Sequence, residues 1–505
     1  MQTIMVGYLE ILCGVTALLL ALYYYFMSVF SFWERLEVPG LKPAFFIKNI
    51  FNIYTMRLPV SLYLQNFYEK YKNERMFGFY LGRSAILILK DPELIKDVLV
   101  KDFSIFADRG FIVHERTEPL SLHLLNLDIR RWRPLRRQFT PMFTSSKLKN
   151  MFEQVLECAT HLEKHLDKLA ARNEPVDFRD IAAKYTMDVI GSCGFGINVN
   201  SFSDEESKFY KIGTEYFGVC LENMIRLKLR LYATKLYDWL GYIFPENYYA
   251  PFFANLVTET MRYRKEHDIY RPDFIQMLMN MKEHPENLDD IELTDALITA
   301  QAFIFFAAGF ETSASTMSNA LYELALNQDI QDKLREEIKE HYAKHGGDMK
   351  YEHVKGMKYL DKVFKETLRK YPVGGVLTRR SACPYTFRDT KVTIPRRLLV
   401  FIPVYAIHRD PDIYPNPDVF NPENFSEEAI EARHPMTYLP FGDGPRNCIG
   451  ARFGLFQTKV GLIATLRNYK VDVCDKTMIP YEFDANTFLL TAKGEIYLKL
   501  TKLEA

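Results

Sequence analysis

The sequence has no excess of charge of either sign. It holds 64 lysines and arginines against 64 aspartates and glutamates, for a formal net charge of zero. Because proteins that bind nucleic acids carry a basic charge balance or basic patches, the composition predicts no nucleic-acid partner.

The chain also lacks an obvious place to divide. It contains no internal repeat, no low-complexity tract and no long linker rich in serine, glycine or proline. Hydrophobic residues make up 48% of its 505 residues, which is enough for a large folded core. We therefore expect a single large domain, although chains of this length often form two.

The cysteines lack the pairing that a zinc site or a disulfide framework requires. Their number is odd, and no two of them form a CxxC pattern. Most are therefore expected to be small buried apolar side chains. The cysteines stand at positions 13, 158, 193, 220, 383, 448 and 474.

Charged residues are missing from residues 11–33, a run long enough for a helix across a hydrocarbon core of about 30 Å. Basic residues follow the run, beginning with Arg35, whereas the acidic Glu10 stands directly before it. Since basic flanks stay in the cytosol, residues 1–35 should form a transmembrane anchor in lipid, with residues 36–505 in the cytosol. The alternative, a cleaved signal peptide, is less favoured because the run is long and lacks a small-residue cleavage motif.

Hydrophobic periodicity predicts a mainly α protein with a minor β part. Alternating or β-branched runs at residues 77–90 and 495–500 are typical of short antiparallel strands. Residues 371–438 are rich in proline, which favours a meander over the surface. Long amphipathic or apolar runs predict helices at about residues 147–171, 291–326, 328–345 and 357–370, with a last helix after Cys448.

One cysteine stands in an unusual setting. Residues 441–450 read FGDGPRNCIG and lead directly into an apolar helical pattern. A thiolate at a helix N-terminus is stabilised by free N–H groups and the helix dipole, so Cys448 is a candidate ligand or nucleophile. Arg446 could pair with an anionic group. The alternative is a glycine-rich turn around a buried cysteine.

The loop resembles the haem-binding loop of the cytochrome P450 superfamily. Phe441, Gly444, Arg446, Cys448 and Gly450 match the positions of that motif. Three further segments resemble its other motifs in the same order: WRPLR at 132–136, AGFET at 308–312 and ETLR at 366–369. The N-terminal anchor and the segments FTPMFTSSKLKNMF and RPDFIQMLM are similar to the insect microsomal branch associated with xenobiotics.

The resemblance implies a cytochrome P450 fold and a role for each matching residue. Cys448 would ligate the iron of haem b, and Thr312 and Glu311 would relay protons. Taken alone, the pattern favours a Thr312 hydroxyl that bonds back to a helix carbonyl, with Glu311 reaching the surface; the resemblance to the haem-binding family reverses this preference. Other residues implied to bind the cofactor are Arg446, Trp132, Arg136, Phe441, Gly442 and Gly309.

A second implied feature departs from the pattern of the family. Glu366 and Arg369 resemble its buried ExxR pair, which fixes the proline-rich segment and the Cys448 loop. The following motif reads PENF, with Asn424 where the family often has arginine. An amide can still donate hydrogen bonds but carries no charge, so the usual three-membered network is in doubt.

The implied function is a haem-thiolate monooxygenase of the endoplasmic reticulum membrane that oxidises small apolar molecules. Electrons would come from NADPH through a flavoprotein reductase, steered by the basic patch at Arg130 and Arg133. A haem-thiolate isomerase or dehydratase, or a non-catalytic haem-binding membrane protein, are the alternatives. Residues 237–253 should touch the membrane a second time. Candidate substrate-facing residues are Phe111, Phe303, Phe306, 373–377 and Phe488, with extra room at Gly374 and Gly375.

Overall fold

The fold is built mainly from α-helices, as the sequence predicts. In the N-terminal half they are α1 (Gln2–Phe30), α2 (Phe32–Arg35), α3 (Val60–Lys70), α4 (Pro92–Lys96), α5 (Ile129–Phe139), α6 (Ser145–Asn150), α7 (Phe152–Ala170), α8 (Phe178–Ile190), α9 (Lys208–Phe217) and α10 (Thr234–Gly241). The computed structural model describes residues 2–41, 58–203, 207–218, 225–226, 229–230, 233–243, 248–288, 291–487 and 489–504.

The C-terminal half carries the longest helix of the body and the helix that follows the cysteine loop. Its helices are α11 (Tyr249–Glu266), α12 (Phe274–Glu283), α13 (Asp295–Leu326), α14 (Gln328–Lys344), α15 (Tyr351–Gly356), α16 (Lys358–Lys370), α17 (Val404–Ile407), α18 (Glu427–Glu431) and α19 (Ala451–Asn468). Short π or 3₁₀ turns lie at Asp97–Lys101, Pro119–Leu122, Thr140–Phe143, Gly191–Phe195, Pro285–Leu288, Pro422–Phe425 and Pro435–Thr437.

The predicted long helices are confirmed with small shifts at their ends. The run expected at 147–171 is divided at Met151 into α6 and α7. Aspartate or threonine side chains begin several helices, because their oxygens accept from N–H groups that have no partner within the helix. Asp128 does so for α5, and Thr294 for α13. Helix α13 is buried along most of its 32 residues and packs against α8 and α19, which places it at the centre of the core.

Three small sheets complete the body. The largest has the order β1-β2-β7-β4, in which β2 and β7 are parallel and the other pairs antiparallel. The expected strands at 77–90 form the hairpin β1–β2, and the expected strand at 495–500 is β9. The strands are β1 (Met76–Leu81), β2 (Ser84–Leu89), β3 (Pro175–Asp177), β4 (Leu377–Arg380), β5 (Tyr385–Thr386), β6 (Thr393–Ile394), β7 (Leu399–Ile402), β8 (Tyr469–Asp472) and β9 (Tyr497–Lys502).

The proline-rich segment does not simply run over the surface. Strand β7 carries Val400 and Ile402, which are fully buried, and α17 directly after it is buried throughout. The surface expectation was wrong here because it rested on proline content, whereas β-branched and apolar residues between the prolines complete the main sheet.

Most of helix α1 is exposed, and its C-terminal end contacts the body. The span Ile11–Phe30 is long and apolar enough to cross a membrane; its residues 11–28 are exposed, whereas Phe30 is buried against the body. The indole Nε1 of Trp33 donates to the carbonyl of Phe79 at 3.1 Å, and a Cβ at Gly78 would lie 2.2 Å from that indole. The residues directly after the apolar span are thus part of the core. A second helix, α13, passes the same test of length and composition but is mostly buried.

Candidate active site

The loop before α19 is shaped by its glycines and by one backbone hydrogen bond. The N–H of Cys448 donates to the carbonyl of Phe441 at 2.9 Å, which closes the loop. Gly442 and Gly444 have φ of +68° and +74°, in the left-handed region that favours glycine. A Cβ at Gly444 would lie 1.9 Å from the carbonyl oxygen of Leu99, so no other residue fits there.

Cys448 stands three residues before α19, at the helix start that the sequence predicts. Its side chain is accessible, yet protein surrounds it and burial raises the pKa of its thiol. The backbone N–H groups of Gly450 and Ala451 and the charges of Arg109 and Arg136 act in the opposite direction. An accessible thiol inside the fold, faced by donors and cations, suits a thiolate that ligates a metal.

One turn of helix α13, near the cysteine helix α19, is more exposed than the turns on either side of it. Ala308 is exposed and Thr312 partly exposed, although the helix around them is buried. The side-chain amide of Gln457 on α19 donates to the carbonyl of Gly309 at 2.8 Å, which joins the cysteine helix to this turn. A Cβ at Gly309 would lie 2.2 Å from Cδ1 of Ile190, so glycine is required there for packing against α8.

Thr312 and Glu311 have different partners. The hydroxyl of Thr312 donates to the carbonyl of Ala308 at 2.6 Å, which is the back-bonded geometry considered from sequence. Glu311 does not reach the surface: its Oε1 accepts from Arg179 at 3.4 Å and from Ser315 at 3.3 Å. Burial raises the pKa of the Glu311 carboxyl, and Arg179 opposes that rise.

Buried arginines gather beside the cysteine loop. Arg446 donates to the carbonyls of Ala107 and Leu127, and its guanidinium lies 4.9 Å from the ring centre of Trp132. Arg109 donates to the carbonyl of Arg446 at 2.7 Å. Burial lowers the pKa of Arg446 to about 9 and that of Arg109 to about 10.

Two further arginines complete this cluster. Arg379 on β4 is 2% exposed, and burial lowers its pKa to about 9, with Arg109 and Arg446 adding to the effect. Arg136 donates to the carbonyl and to the side-chain oxygen of Asn447, both at 2.9 Å. Trp132 and Arg136 therefore lie beside the loop.

The cluster is positively charged, and the carboxylates of Asp108 and Asp128 act on Arg446 only at a distance. Within the part of the chain that the structure describes, no ion pair involves Arg109, Arg379 or Arg446. The Nε atoms of Arg379 and Arg446 are buried without a hydrogen-bond partner. Since buried charges require counter-charges, the cluster fits the two propionates of a haem. Sequence reasoning missed Arg109 and Arg379, because no local pattern distinguishes them from other arginines.

The ExxR pair is buried and complete. Arg369 makes two bonds of 2.8 Å to the Glu366 carboxylate, and both side chains are 0% exposed. Its other donors bind backbone carbonyls of the proline-rich segment, including His408 at 3.0 Å and Pro417 at 2.7 Å. The amide of Asn424 donates to both oxygens of Glu366, at 3.2 and 3.3 Å. The three-membered network is thus formed, with an amide in the third place.

The residues expected to face the substrate have different surroundings in the structure. Phe303 and Phe306 pack against Phe253 on α11, with ring centres 5.3 and 5.0 Å apart, and Phe306 is fully buried. A Cβ at Gly374 would meet nothing within 4 Å, whereas one at Gly375 would lie 2.6 Å from Leu490 and Ser61. Extra room is therefore present at Gly374 only. Phe111 is half-buried, and Phe488 lies outside the described residues.

A mainly helical body with an accessible cysteine at a helix start and a buried arginine cluster defines a haem-thiolate protein. A comparison with protein families finds that the family model for cytochrome P450 matches residues 38–500. The chain belongs to the cytochrome P450 family and is a haem-thiolate monooxygenase, with electrons from NADPH supplied through a reductase.

Similar proteins come from insects. The chain is 40% identical over 492 residues to "Probable cytochrome P450 6a23" of Drosophila melanogaster, covering 94% of this chain and 95% of that protein. It is 39% identical over 489 residues to "Cytochrome P450 6A1" of Musca domestica, covering 95% of each. The resemblance to an insect branch is confirmed.

Proposed function

We propose that this chain oxidises small apolar molecules, xenobiotics or endogenous lipids and hormones, at the endoplasmic reticulum membrane. The observation that carries the proposal is the accessible Cys448 beside buried arginines. A bound haem supplies the activation of dioxygen and the transfer of one oxygen atom to the substrate.

Cys448 is the proposed iron ligand, held in the loop that Phe441, Gly442 and Gly444 shape. Its thiolate is favoured by the N–H groups and cations that face it. Arg446, Arg109 and Arg379, with Trp132 and Arg136 beside them, would bind the propionates. The pairing of these charges replaces the water that the arginines lose on folding.

Thr312 and Glu311 are proposed to control protons. Because the Thr312 hydroxyl donates to Ala308, its oxygen lone pairs can accept from a water molecule or a substrate hydroxyl. Glu311 is a buried carboxyl with a raised pKa, so it exchanges its proton closer to neutral pH than an exposed glutamate does. Gly309 adds no side-chain bulk at this turn.

The membrane arrangement is also a proposal. Residues 1–35 would form the anchor and residues 36–505 the monooxygenase domain in the cytosol. A second contact would involve α10 and the residues after it, because large apolar side chains are exposed there. They are Leu236, Trp239, Tyr242 and Ile243, with exposed fractions between 46% and 67%.

The proposed electron donor is a flavoprotein reductase in the same membrane. Arg130 and Arg133 on α5 are exposed, on the helix that also carries Trp132 and Arg136. Exposed arginines next to the cofactor site favour an acidic partner, because opposite charges steer association.

Reconstitution with the reductase tests the function. The full chain and reductase in one membrane, given NADPH and a panel of apolar compounds, should form hydroxylated products. The rate should fall as salt is raised, since exposed charges are screened over about 10 Å at moderate ionic strength. Product without NADPH consumption would instead indicate an isomerase or dehydratase, and no product from any compound would favour a non-catalytic haem-binding protein.

A further inference from the structure

A cleft of about 810 Å³ lies between the end of the anchor, the main sheet and the start of α5, next to the arginine cluster, because Ala107, whose carbonyl accepts from Arg446, also lines it. Phe32 of α2 lines it on one side, together with Ser84 and Ala85 at the start of β2. Three arginines line it from the β4 and β7 side: Arg380, Arg396 and Arg397. The cleft is large enough for a small ligand.

The position of the cleft relative to the anchor is fixed by direct contacts. Tyr80 on β1 donates its hydroxyl hydrogen bond to the carbonyl of Phe30, the last residue of α1, at 2.9 Å. In the β1–β2 turn, Arg83 donates to the hydroxyl of Tyr25 on α1 at 3.1 Å. Tyrosines at the end of a membrane span lie at the level of the lipid headgroups. Ser84 follows Arg83 directly, so the cleft would lie at headgroup level when α1 spans the membrane.

Among the described residues, the arginine side chains of the cleft form no ion pair with its two aspartates, although the N–H of Arg380 donates to the carbonyl of Asp108 at 2.7 Å. Arg380 donates to the carbonyl of Gly110 at 2.7 Å. The N–H of Arg397 donates to the carbonyl of Ser381 at 2.8 Å, and its φ of +68° marks a tight turn at Arg396 and Arg397, which both line the cleft. Both are exposed, and among the described residues no ion pair involves either of them.

The two acids of the cleft already have donors. Asp108 accepts from the N–H of Gly110 at 2.8 Å. Asp128 accepts from the side chain of Arg131 at 2.9 Å and begins α5 with its other oxygen. With three arginines against two aspartates the cleft keeps a net positive charge, and guanidinium groups match the oxygens of a phosphate.

We propose that this cleft binds the phosphate of an anionic molecule through Arg396 and Arg397, and that this molecule is an anionic membrane lipid. The phosphate chemistry follows from the paired arginines. The lipid source follows from the contacts of Tyr25 and Phe30, which hold the cleft at the membrane surface. The inference rests on the proposed anchoring of α1 in the membrane.

Titration of the full-length haem-loaded protein in detergent tests the phosphate site. The probes are dihexanoyl phosphatidic acid, dihexanoyl phosphatidylcholine and inorganic phosphate, measured by calorimetry. Phosphatidic acid should bind with one saturable site, more tightly than phosphatidylcholine. The variant R396Q/R397Q should bind it roughly 25-fold more weakly, at about fivefold for each basic residue near an anionic surface. The matched control K339Q/K344Q removes two exposed lysines from α14, away from the anchor, and should bind as the wild type does.

Flotation with vesicles separates this proposal from the anchoring. The full chain should float with neutral phosphatidylcholine vesicles whether or not Arg396 and Arg397 are replaced; failure to float would contradict the anchoring itself. Binding of inorganic phosphate as tight as that of phosphatidic acid would keep the phosphate site and overturn the lipid source. Equal affinities for phosphatidic acid in R396Q/R397Q and the wild type would overturn the site. The spectrum of the carbon monoxide complex monitors folding of each variant.

Discussion

The side-chain amide of Asn424 donates to both carboxylate oxygens of Glu366, at 3.2 and 3.3 Å. Asn421 adds a backbone N–H to the same carboxylate at 2.8 Å. Glu366 is therefore fully paired, although its only cationic partner among the described residues is Arg369. The amide thus supplies the hydrogen bonds to Glu366 that the family often obtains from an arginine, but not the positive charge.

Replacing Asn424 should weaken the support of the haem loop. N424A removes two donors from a buried carboxylate, which costs about 1–3 kcal/mol, and N424D adds a like charge and should be worse. Thermal unfolding and the haem content per chain measure both effects. The exposed Asn150 gives a matched control in N150A, which should leave both quantities unchanged. N424D as stable as wild type would show that the amide contacts contribute nothing.

Thr312→Val should uncouple oxygen consumption from product formation. The change keeps the side-chain shape and removes the hydroxyl, so substrate affinity should stay while product per NADPH falls and peroxide rises. Thr316 is a matched control, because its hydroxyl bonds back to Thr312 at 2.8 Å and its side chain is buried. T316V should stay coupled. Equal coupling in T312V and wild type would refute a proton role for Thr312.

Arg179→Gln should make stability more dependent on pH through Glu311. A carboxyl with a raised pKa favours the folded state in acid, and this contribution is lost as pH rises above the usual glutamate range toward the folded-state pKa. Without Arg179 the folded-state pKa rises further. R179Q should therefore be less stable at pH 7 by about 1–3 kcal/mol, with a smaller difference near pH ~4.5.

The double variant provides the control for this prediction. Arg179 also donates to the carbonyls of Ala492 and Gly494, at 2.8 and 2.9 Å, and the loss of those bonds does not depend on pH. In R179Q/E311Q, which has no carboxyl at position 311, the pH-dependent part of the destabilisation should therefore disappear, and the part due to the two lost backbone bonds should remain. Unfolding midpoints of the three proteins across this pH range measure it; parallel curves would mean that Glu311 does not titrate in this range.

Two truncations of the N-terminus, before and after Trp33, should yield proteins that differ in stability as well as in how completely they leave the membrane. Removal of residues 2–27 keeps Trp33, which is 2% exposed. Removal of residues 2–33 deletes that indole from the core, which should cost about 3–5 kcal/mol. Both proteins should still bind membranes in part through Trp239 and its neighbours. Membrane fractionation and unfolding midpoints of the two truncated proteins test this prediction. Equal midpoints would contradict the packing role of Trp33. Full solubility of both proteins would contradict the second membrane contact.

Local patterns predicted more of this protein than its long-range contacts did. Helix α13 and the Cys448 loop are visible because periodicity and spacing are properties of continuous segments. The hydrogen bond between Arg179 and Glu311 joins residues that are 132 positions apart in the sequence. The space beside Gly375 is likewise occupied by Leu490, which is distant in sequence. Arg109 and Arg379 likewise meet Arg446 only through the fold, so no spacing rule could assign them.

The carbon monoxide complex of the reduced protein tests the central claim, that Cys448 is the thiolate ligand of a haem. The wild type should absorb at the wavelength typical of thiolate ligation, and Cys448→Ser should lose that band. Cys383→Ser changes another exposed cysteine and should keep it. Far-ultraviolet circular dichroism confirms that each variant is folded. A thiolate band that persists in folded Cys448→Ser would contradict the assignment.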